Sequence, residues 1–340
     1  MSQNLNTASI SEFTDLVERD WTYNNGNFVE TGIASQMFIT ENMASYTGES
    51  RRYTEIDPET FATLKDEGDD ASIATVQKGY EKDMEVKRFA KEISITYEMR
   101  RYNKKPEVMA QLTSLSHFCP NRMEIDLTHR LSFMTATSYT DMDGQTVATT
   151  VGDTLALVSA SHTLRASAST FSNVITGNPL FSKGGLEIAE TQANTQVLSQ
   201  FGERRIMDFN IIWTGDDPTT CNDVKQFLNS TADVDQENPA VTNVYQNKYR
   251  QVKLRYLATA ADGAYNSAKA KYWGIAAVGQ GQKGWQAYLG IWDAPSLKTP
   301  APGNNGEDVH NDDWTYGTRC AYGIATVSAR GLLGSTGVGA

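Results

Sequence analysis

Apolar residues first recur at helical spacing near the start of the chain, where Ile10, Phe13, Leu16, Val17 and Trp21 share one side of a window opening on Ser9-Ile10-Ser11-Glu12. A Ser followed three residues on by Glu lets each side chain satisfy a backbone N–H at a helix start, so the pattern predicts an amphipathic helix of about 11 residues. Asn24-Asn25-Gly26-Asn27 supplies its stop. From Phe28 to Tyr53, Met, Phe and Tyr mix with Gly, Ser and Asn without a sustained period, which predicts an extended arm that must lie on another surface.

Residues 54–97 change character. Leu64-Lys65-Asp66-Glu67-Gly68-Asp69-Asp70 is a turn signal, and Ser72-Ile73-Ala74-Thr75-Val76 and Glu92-Ile93-Ser94-Ile95-Thr96-Tyr97 alternate like strands. This predicts a long two-stranded projection. A solitary hairpin is marginal in water, which favours one that docks on a neighbouring chain over an ordinary exposed connection. After Pro106, Val108, Leu112, Leu115, Cys119, Met123, Leu127, Leu131 and Met134 step by three or four, predicting a long helix with a kink or restart at Pro120, which cannot donate its amide. Asp141-Met142-Asp143-Gly144 closes that element as a turn.

The stretch 146–181 is rich in Thr, Ser and Ala and reads as a loop with short strands. Ser182 then caps a helix through Leu186, Ile188, Ala189, Ala193 and Val197, expected to end at Phe201-Gly202. A strand from Ile206 to Trp213, a cap at Gly215-Asp216-Asp217-Pro218 with Pro in the first turn, and a helix from Asn222 to Asn229 make an α/β unit. Short alternating runs from Val244 to Trp292 and a last strand or strand pair from Trp314 to Ala329 complete the pattern. The fold class is α+β.

Composition narrows the function. With 340 residues, 39% of them hydrophobic, the chain can bury a substantial core, and a net charge of −11 disfavours non-specific binding to nucleic acid or anionic membrane. Cys119, Cys221 and Cys320 are widely spaced and read as reduced, buried thiols. No basic segment leads into an apolar run at the N-terminus, and the longest uncharged run, 166–182, contains Gly177 and Pro179. Neither a signal peptide nor a membrane span is expected, and folding in a cytosol is.

Motifs that could carry chemistry fail on context. Gly279, Gly281 and Gly284 match G-x-G-x-x-G, yet the following Trp285–Trp292 run is strand-like where a pyrophosphate needs a helix start, so a turn is expected. Asp141-x-Asp143-Gly144 lacks a bidentate acid at the last position of a calcium loop, which falls on Thr150. His117, His129, His162 and His310 have no partners at zinc spacing, and His129 is expected to be a partly buried, hydrogen-bonded side chain. Ser161-His162 adjacency is unsuited to a nucleophile and its base, and Asp216-Asp217 and Asp312-Asp313 read as caps and loop charges. Asn229-Ser230-Thr231 is a polar helix end. Basic pairs at Arg51-Arg52, Lys87-Arg88, Arg100-Arg101, Lys104-Lys105 and Arg204-Arg205 lie near acids and read as surfaces for protein contacts. No catalytic, cofactor-binding or metal-ligating residue is assigned.

The order of elements, and the residues Asp143-Gly144 through Leu155-Ala156-Leu157-Val158-Ser159-Ala160-Ser161-His162, resemble the major capsid protein of tailed bacteriophages, the Hong Kong 97-like fold. Ser172-Asn173, Leu180-Phe181-Ser182, Leu186-Glu187-Ile188-Ala189, Trp314, Arg319, Tyr322-Gly323 and Val327-Ser328-Ala329-Arg330-Gly331 continue the likeness. The resemblance implies an N-terminal arm over 1–52, an extended β loop over 53–97, and a peripheral domain over 98–203 and 295–340. The peripheral domain would carry a spine helix over 106–139, and 204–294 would form an axial domain. It implies a structural, non-enzymatic subunit that self-assembles into hexamers and pentamers of an icosahedral head around double-stranded DNA, without sequence-specific contacts. Implied partners are a separate scaffolding protein, a portal and decoration proteins. The implied location is the virion, with assembly in the host cytoplasm and no membrane. The alternatives are an encapsulin-like shell subunit enclosing cargo protein, and an enzyme with a decorative hairpin.

Overall fold

The computed structural model describes residues 10–30, 32–58, 61–74, 76–102, 104–232, 242–300 and 312–338. Helix α1 spans Ile10–Glu30, longer than expected, because the backbone stays helical through Asn24–Asn27. Phe13 and Val17 are buried on its inner face, while the capping pair Ser9 and Glu12 lies outside the described side chains. The arm that follows holds a 3-10 helix, Ala34–Met37, and strand β1, Ile39–Asn42. Strands β2 (Ser50–Pro58), β3 (Val76–Glu85) and β4 (Lys87–Ile95) come next, then the short helix α2 (Tyr97–Arg101) and the long helix α3 (Lys105–Ser132). Short strands β5 (Ser138–Thr140), β6 (Thr146–Ala148), β7 (His162–Thr163) and β8 (Thr170–Phe171) lead to helix α4 (Lys183–Thr195). Strand β9 (Ile211–Thr214), helix α5 (Pro218–Asn229) and strands β10 (Arg250–Lys253), β11 (Trp273–Ala276), β12 (Gln286–Lys298), β13 (Trp314–Ser328) and β14 (Leu332–Ser335) complete the chain.

Two four-stranded sheets organise these elements. The first has the order β1-β12-β13-β4, with β1 parallel to β12 and the other neighbours antiparallel. The arm therefore has a specific bed, in register from Ile39 opposite Tyr288 to Asn42 opposite Ile291. The second has the order β10-β9-β11-β14. Along β9, Ile211 and Trp213 enter the central core while Ile212 enters a second cluster under α4 and α5, so both faces of that sheet are covered. Strands buried on two faces read as continuous apolar runs, as Ile211-Ile212-Trp213 does.

Local chemistry explains the helix limits. Ser182 Oγ accepts from Gly185 N, and an Asp217 carboxylate oxygen accepts from Thr220 N ahead of Pro218 in the first turn. Helix α4 stops at Thr195, earlier than expected, although Val197 stays buried and Gly202 adopts φ +83° in a later turn. Helix α3 runs through Pro120 as one helix, so of the kink or restart expected there the restart does not occur. Its expected end at Tyr139 is also corrected. The helix closes at Ser132, and Met134 is fully buried from a turn, so an apolar position at helical spacing persists after the helix has ended. Thr137-Ser138-Tyr139-Thr140 then extends, because Asp141 Oδ1 accepts from Asp143 N and Gln145 N to form the predicted turn between β5 and β6.

The projection also differs in its pairing. Its strands are β2 and β3, joined from Ser50 opposite Glu85 to Pro58 opposite Val76, whereas β4 pairs with β13 in the first sheet. The chain changes partners at Val86, whose N–H bonds Glu49 O. No turn residue marks that change, so alternation alone runs β3 and β4 together.

Candidate functional site: the base of the projecting loop

Side chains alternate across a strand, so Tyr53, Glu55 and Asp57 share one face of β2 and turn inward. Tyr53 stacks on Tyr288 with ring centroids 4.1 Å apart, and its hydroxyl donates to Glu41 Oε2 at 2.7 Å. Burial, helped by the Glu41 charge, pushes the Tyr53 hydroxyl well above its ordinary value, so it remains a donor. Arg51 reaches the same Glu41 oxygen at 2.7 Å, which ties the arm, the loop and the sheet together.

Glu55 and Asp57 enter a polar knot deeper in the chain. Arg330 pairs with Glu55, and its Nη1 lies 4.0 Å from Asp57 Oδ2. Arg205 Nη1 lies 3.2 Å from Asp57 Oδ1. Gln200 donates from its backbone N to Asp57 Oδ2 at 2.8 Å and from Nε2 to Glu55 Oε2 at 2.7 Å, and its Oε1 accepts from Arg165 N. Glu55 is 2% exposed, Asp57 4%, Arg330 3% and Gln200 0%, so water does not screen these charges. Burial pulls the Arg205 guanidinium below its ordinary value against the opposing pull of Asp57. The β2 and β3 register shifts between Thr54 and Ile56, and Gly79 faces Glu55; a Cβ there would lie 2.7 Å from Glu55 Oε2. The bulge and the glycine together make room for a carboxylate inside a hairpin.

A second polar knot lies beside the first. His162 Nδ1 is 2.7 Å from Asp153 Oδ2 and Nε2 is 3.1 Å from Asn173 Oδ1. Asn173 Nδ2 donates to Leu157 O and Ala329 O, and its Oδ1 accepts from Ser159 N. These bonds fasten the 151–175 loop to the C-terminal strand and leave Ser161 outside any pairing with His162. The arrangement holds backbone in place and supplies no nucleophile.

The other candidates are equally structural. Gly279–Gly284 is a turn leading into β12, and a Cβ at Gly284 would lie 2.5 Å from Ala277 O. Asp141 and Asp143 bind Arg122 at 3.2 and 2.8 Å. Among the described residues no group of three or more His, Cys, Asp or Glu is arranged to hold a metal, and no helix is long and apolar enough to cross a membrane. His310 lies outside the described residues. Asp313 Oδ2 accepts from Ser94 Oγ, and Arg52 grips Asp83 through two bonds of 2.7 and 2.9 Å. The basic positions Arg51, Arg52 and Arg205 each make an ion pair within the chain. A cleft of about 470 Å³ between β3 and β13 is lined by Lys82, Asp126, Arg130 and Tyr322. Lys82 Nζ donates to Thr150 Oγ1, and Tyr322 donates to Asp126 Oδ2. Lys82 and Tyr322 are thus already engaged.

His129 is buried at 2% exposure, edge-on to Phe133 and Tyr139 at 5.4 and 5.3 Å. Burial first, then the Lys269 and Arg122 charges, pulls its pKa from 6.5 to about 4. The unfolded chain takes up a proton near pH 6.5 that the folded chain refuses until about pH 4. The stability is complete above pH 6.5 and is lost as pH falls, by at most ~3 kcal/mol. Measured from pH 7.5 to about pH 4, the denaturation midpoint of wild type should fall relative to that of His129→Phe only below about pH 6.5; parallel curves would assign the acid sensitivity elsewhere.

Sequence reading found Arg205 and Arg330 without their partners and missed Glu55, Asp57 and Gln200. The usable signal was the period-two run Tyr53-x-Glu55-x-Asp57, which places two acids beside an aromatic on one strand face.

The sequence matches no protein-family model and no curated protein. Its fold does have counterparts. The capsid of Ralstonia phage GP4 superimposes with a TM-score of 0.51 at 12% identity, over 88% of this chain and 87% of that one. A structure of Gordonia phage Cozz gives 0.52 at 9% identity, over 89% and 85%. The capsid of cyanophage P-SCSP1u gives 0.50 at 10% identity, over 88% and 86%. With the arm laid on the sheet, the projecting loop, the long helix and the second sheet all in that order, the chain has the Hong Kong 97-like fold of phage capsid subunits.

Proposed function

We propose that the chain is a structural subunit of a tailed-phage head, joining copies of itself into hexamers and pentamers and carrying out no catalysis. The observation that carries this reading is the likeness to phage capsid structures over nearly nine-tenths of the chain. The projecting loop adds a physical reason. Phe61, Leu64, Ile73 and Val76 are 68%, 93%, 93% and 60% exposed around an acidic tip, and nothing in the described chain covers them. Apolar side chains held out on a braced hairpin stabilise the chain only when another surface buries them. A shell gains stability by adding many such modest contacts.

In this reading residues 1–52 form the arm, 98–203 with 295–340 the peripheral domain, and 204–294 the axial domain. The strand pairing supports drawing the loop at 50–85, three residues earlier at its start and twelve at its end than the expected 53–97. The shell would enclose double-stranded DNA without reading its sequence, as the net charge of −11 suits. A separate scaffold, a portal and decoration proteins would complete the head, assembled in the host cytoplasm.

Replacing Phe61–Ala74 by Asn-Gly tests this directly. The variant should match wild type in denaturation midpoint, because the removed residues are exposed, and should form no closed shells in negative-stain electron microscopy where wild type does. Normal shells from the variant would remove the loop from the assembly contacts. A wild type that stays monomeric at every concentration, salt and scaffold condition would count against the shell itself.

A further inference from the structure

Two of the three free cysteines meet across the seam between α3 and β13. Alternation turns Thr318, Cys320 and Tyr322 to the same face of β13, and all three are buried. That face lies on α3. At one end of the run Cys119 Sγ is 3.4 Å from Thr318 Oγ1, and at the other Tyr322 donates to Asp126 Oδ2 at 2.7 Å. Cys320 stands between these two contacts, and its thiol shares a hydrogen bond with that of Cys119. Cys119 is 2% exposed and Cys320 4%, both in the central core cluster, whereas Cys221 on α5 is only half-buried.

The pair lies close to solvent despite its burial. Phe89, opposite Cys320 in register, and Tyr322, two positions on, both line the cleft of about 470 Å³, and their rings stack 4.9 Å apart. A small solute in that cleft is one side chain away from the thiols. Cys119 is the readier nucleophile of the two. The hydrogen bond from Cys320 stabilises its thiolate and pulls its thiol below the ordinary value, against burial, while the same bond and burial push Cys320 up.

We infer that Cys119 and Cys320 are an oxidisable pair, open in a reducing medium and closed to a disulfide by a peroxide in an oxidising one. The Cys119 thiolate attacks one peroxide oxygen and the O–O bond breaks. The departing hydroxide takes up the proton Cys119 had released and leaves as water. Cys119 is then a sulfenic acid. The Cys320 sulfur attacks the Cys119 sulfur and gives up its proton, and the S–O bond breaks to release the second water. Two thiols are oxidised and one hydrogen peroxide is reduced to two waters. The cross-link ties α3 to β13 and closes a loop of about 200 residues in the unfolded chain, which favours the folded one. The inference concerns the single chain and does not depend on the shell reading.

Treating the folded wild type with a small excess of hydrogen peroxide, then alkylating, digesting and mapping it by mass, tests the pair, with Cys221→Ala and Cys320→Ala treated alike. Wild type and Cys221→Ala should lose about 2 Da and yield a peptide cross-linked between Cys119 and Cys320. Their urea midpoints should rise by roughly 0.5–1 M and fall back with dithiothreitol. Cys320→Ala should show neither change, and the wild-type map decides the question even where that variant does not fold. Cys119 and Cys320 both alkylated once the oxidised chain is unfolded, a sulfinic acid at Cys119 without a cross-link, cross-links through Cys221, or a cross-link that leaves the midpoint unchanged would each overturn it. Because the map reads one chain, a failure to form shells leaves this result unaffected.

Discussion

Replacing Arg330 by Met is expected to destabilise the chain by about 3–5 kcal/mol, because the substitution leaves buried carboxylates without their counter-charge. Glu55, 2% exposed, then keeps only the Gln200 amide among its bonded partners described above, and Asp57 keeps Arg205 and the Gln200 N–H. The loss should reach the loop before the body, since both carboxylates sit on β2 while Arg330 belongs to the C-terminal segment after β13. Urea denaturation of Arg330→Met against wild type measures the cost. The double variant Arg330→Met with Glu55→Gln should recover at least half of it, because an uncharged amide at 55 no longer demands a cation. A single variant within 1 kcal/mol of wild type, on the order of an exposed ion pair, would show that Arg330 does not hold the loop base. Where the single variant folds, a loosened base should also reduce shell formation, since a projection can meet its neighbour only at the angle its base fixes.

The elements with a local cause were legible in the sequence. Ser182 and Asp217 cap helices, Asp141 makes its turn, and the run of Trp314–Ala329 becomes one long strand. Each depends on neighbours within a few residues. What failed depends on residues far away. The end of α3 at Ser132 was hidden because Met134 continues the apolar spacing from a turn. Helix α1 runs through an Asn-Asn-Gly-Asn sequence that locally favours a stop. The partner change at Val86 is set by β13, over two hundred residues on. The loop base was invisible for the same reason: Glu55 meets Arg330 across a separation of 275 positions. Periodicity reports which face is buried and does not report against what.

Replacing Leu127 by Asp should cost about 5 kcal/mol or more and leave the chain insoluble, since it combines a lost core side chain with an unpaired buried charge. Leu127 is fully buried in the central cluster with Leu131, Met134, Trp213 and Leu289. That cluster draws on α3 and on strands from both sheets, so a carboxylate there has no strand or helix it can move aside without opening the whole core. The other end of α3 is different: Val108, Leu112 and Leu115 pack with Phe13 and Val17 of α1 and with Trp314 and Tyr316 of β13. Leu127→Met, which conserves volume, should cost less than about 1.5 kcal/mol and remain soluble. Expression, solubility and denaturation midpoint of the two variants make the comparison. A soluble, native Leu127→Asp chain would mean that α3 is not the common wall of the two sheets. The expected result separates two kinds of failure, because Leu127→Asp stops the chain before it folds, whereas loss of the 61–74 tip stops a folded chain before it assembles.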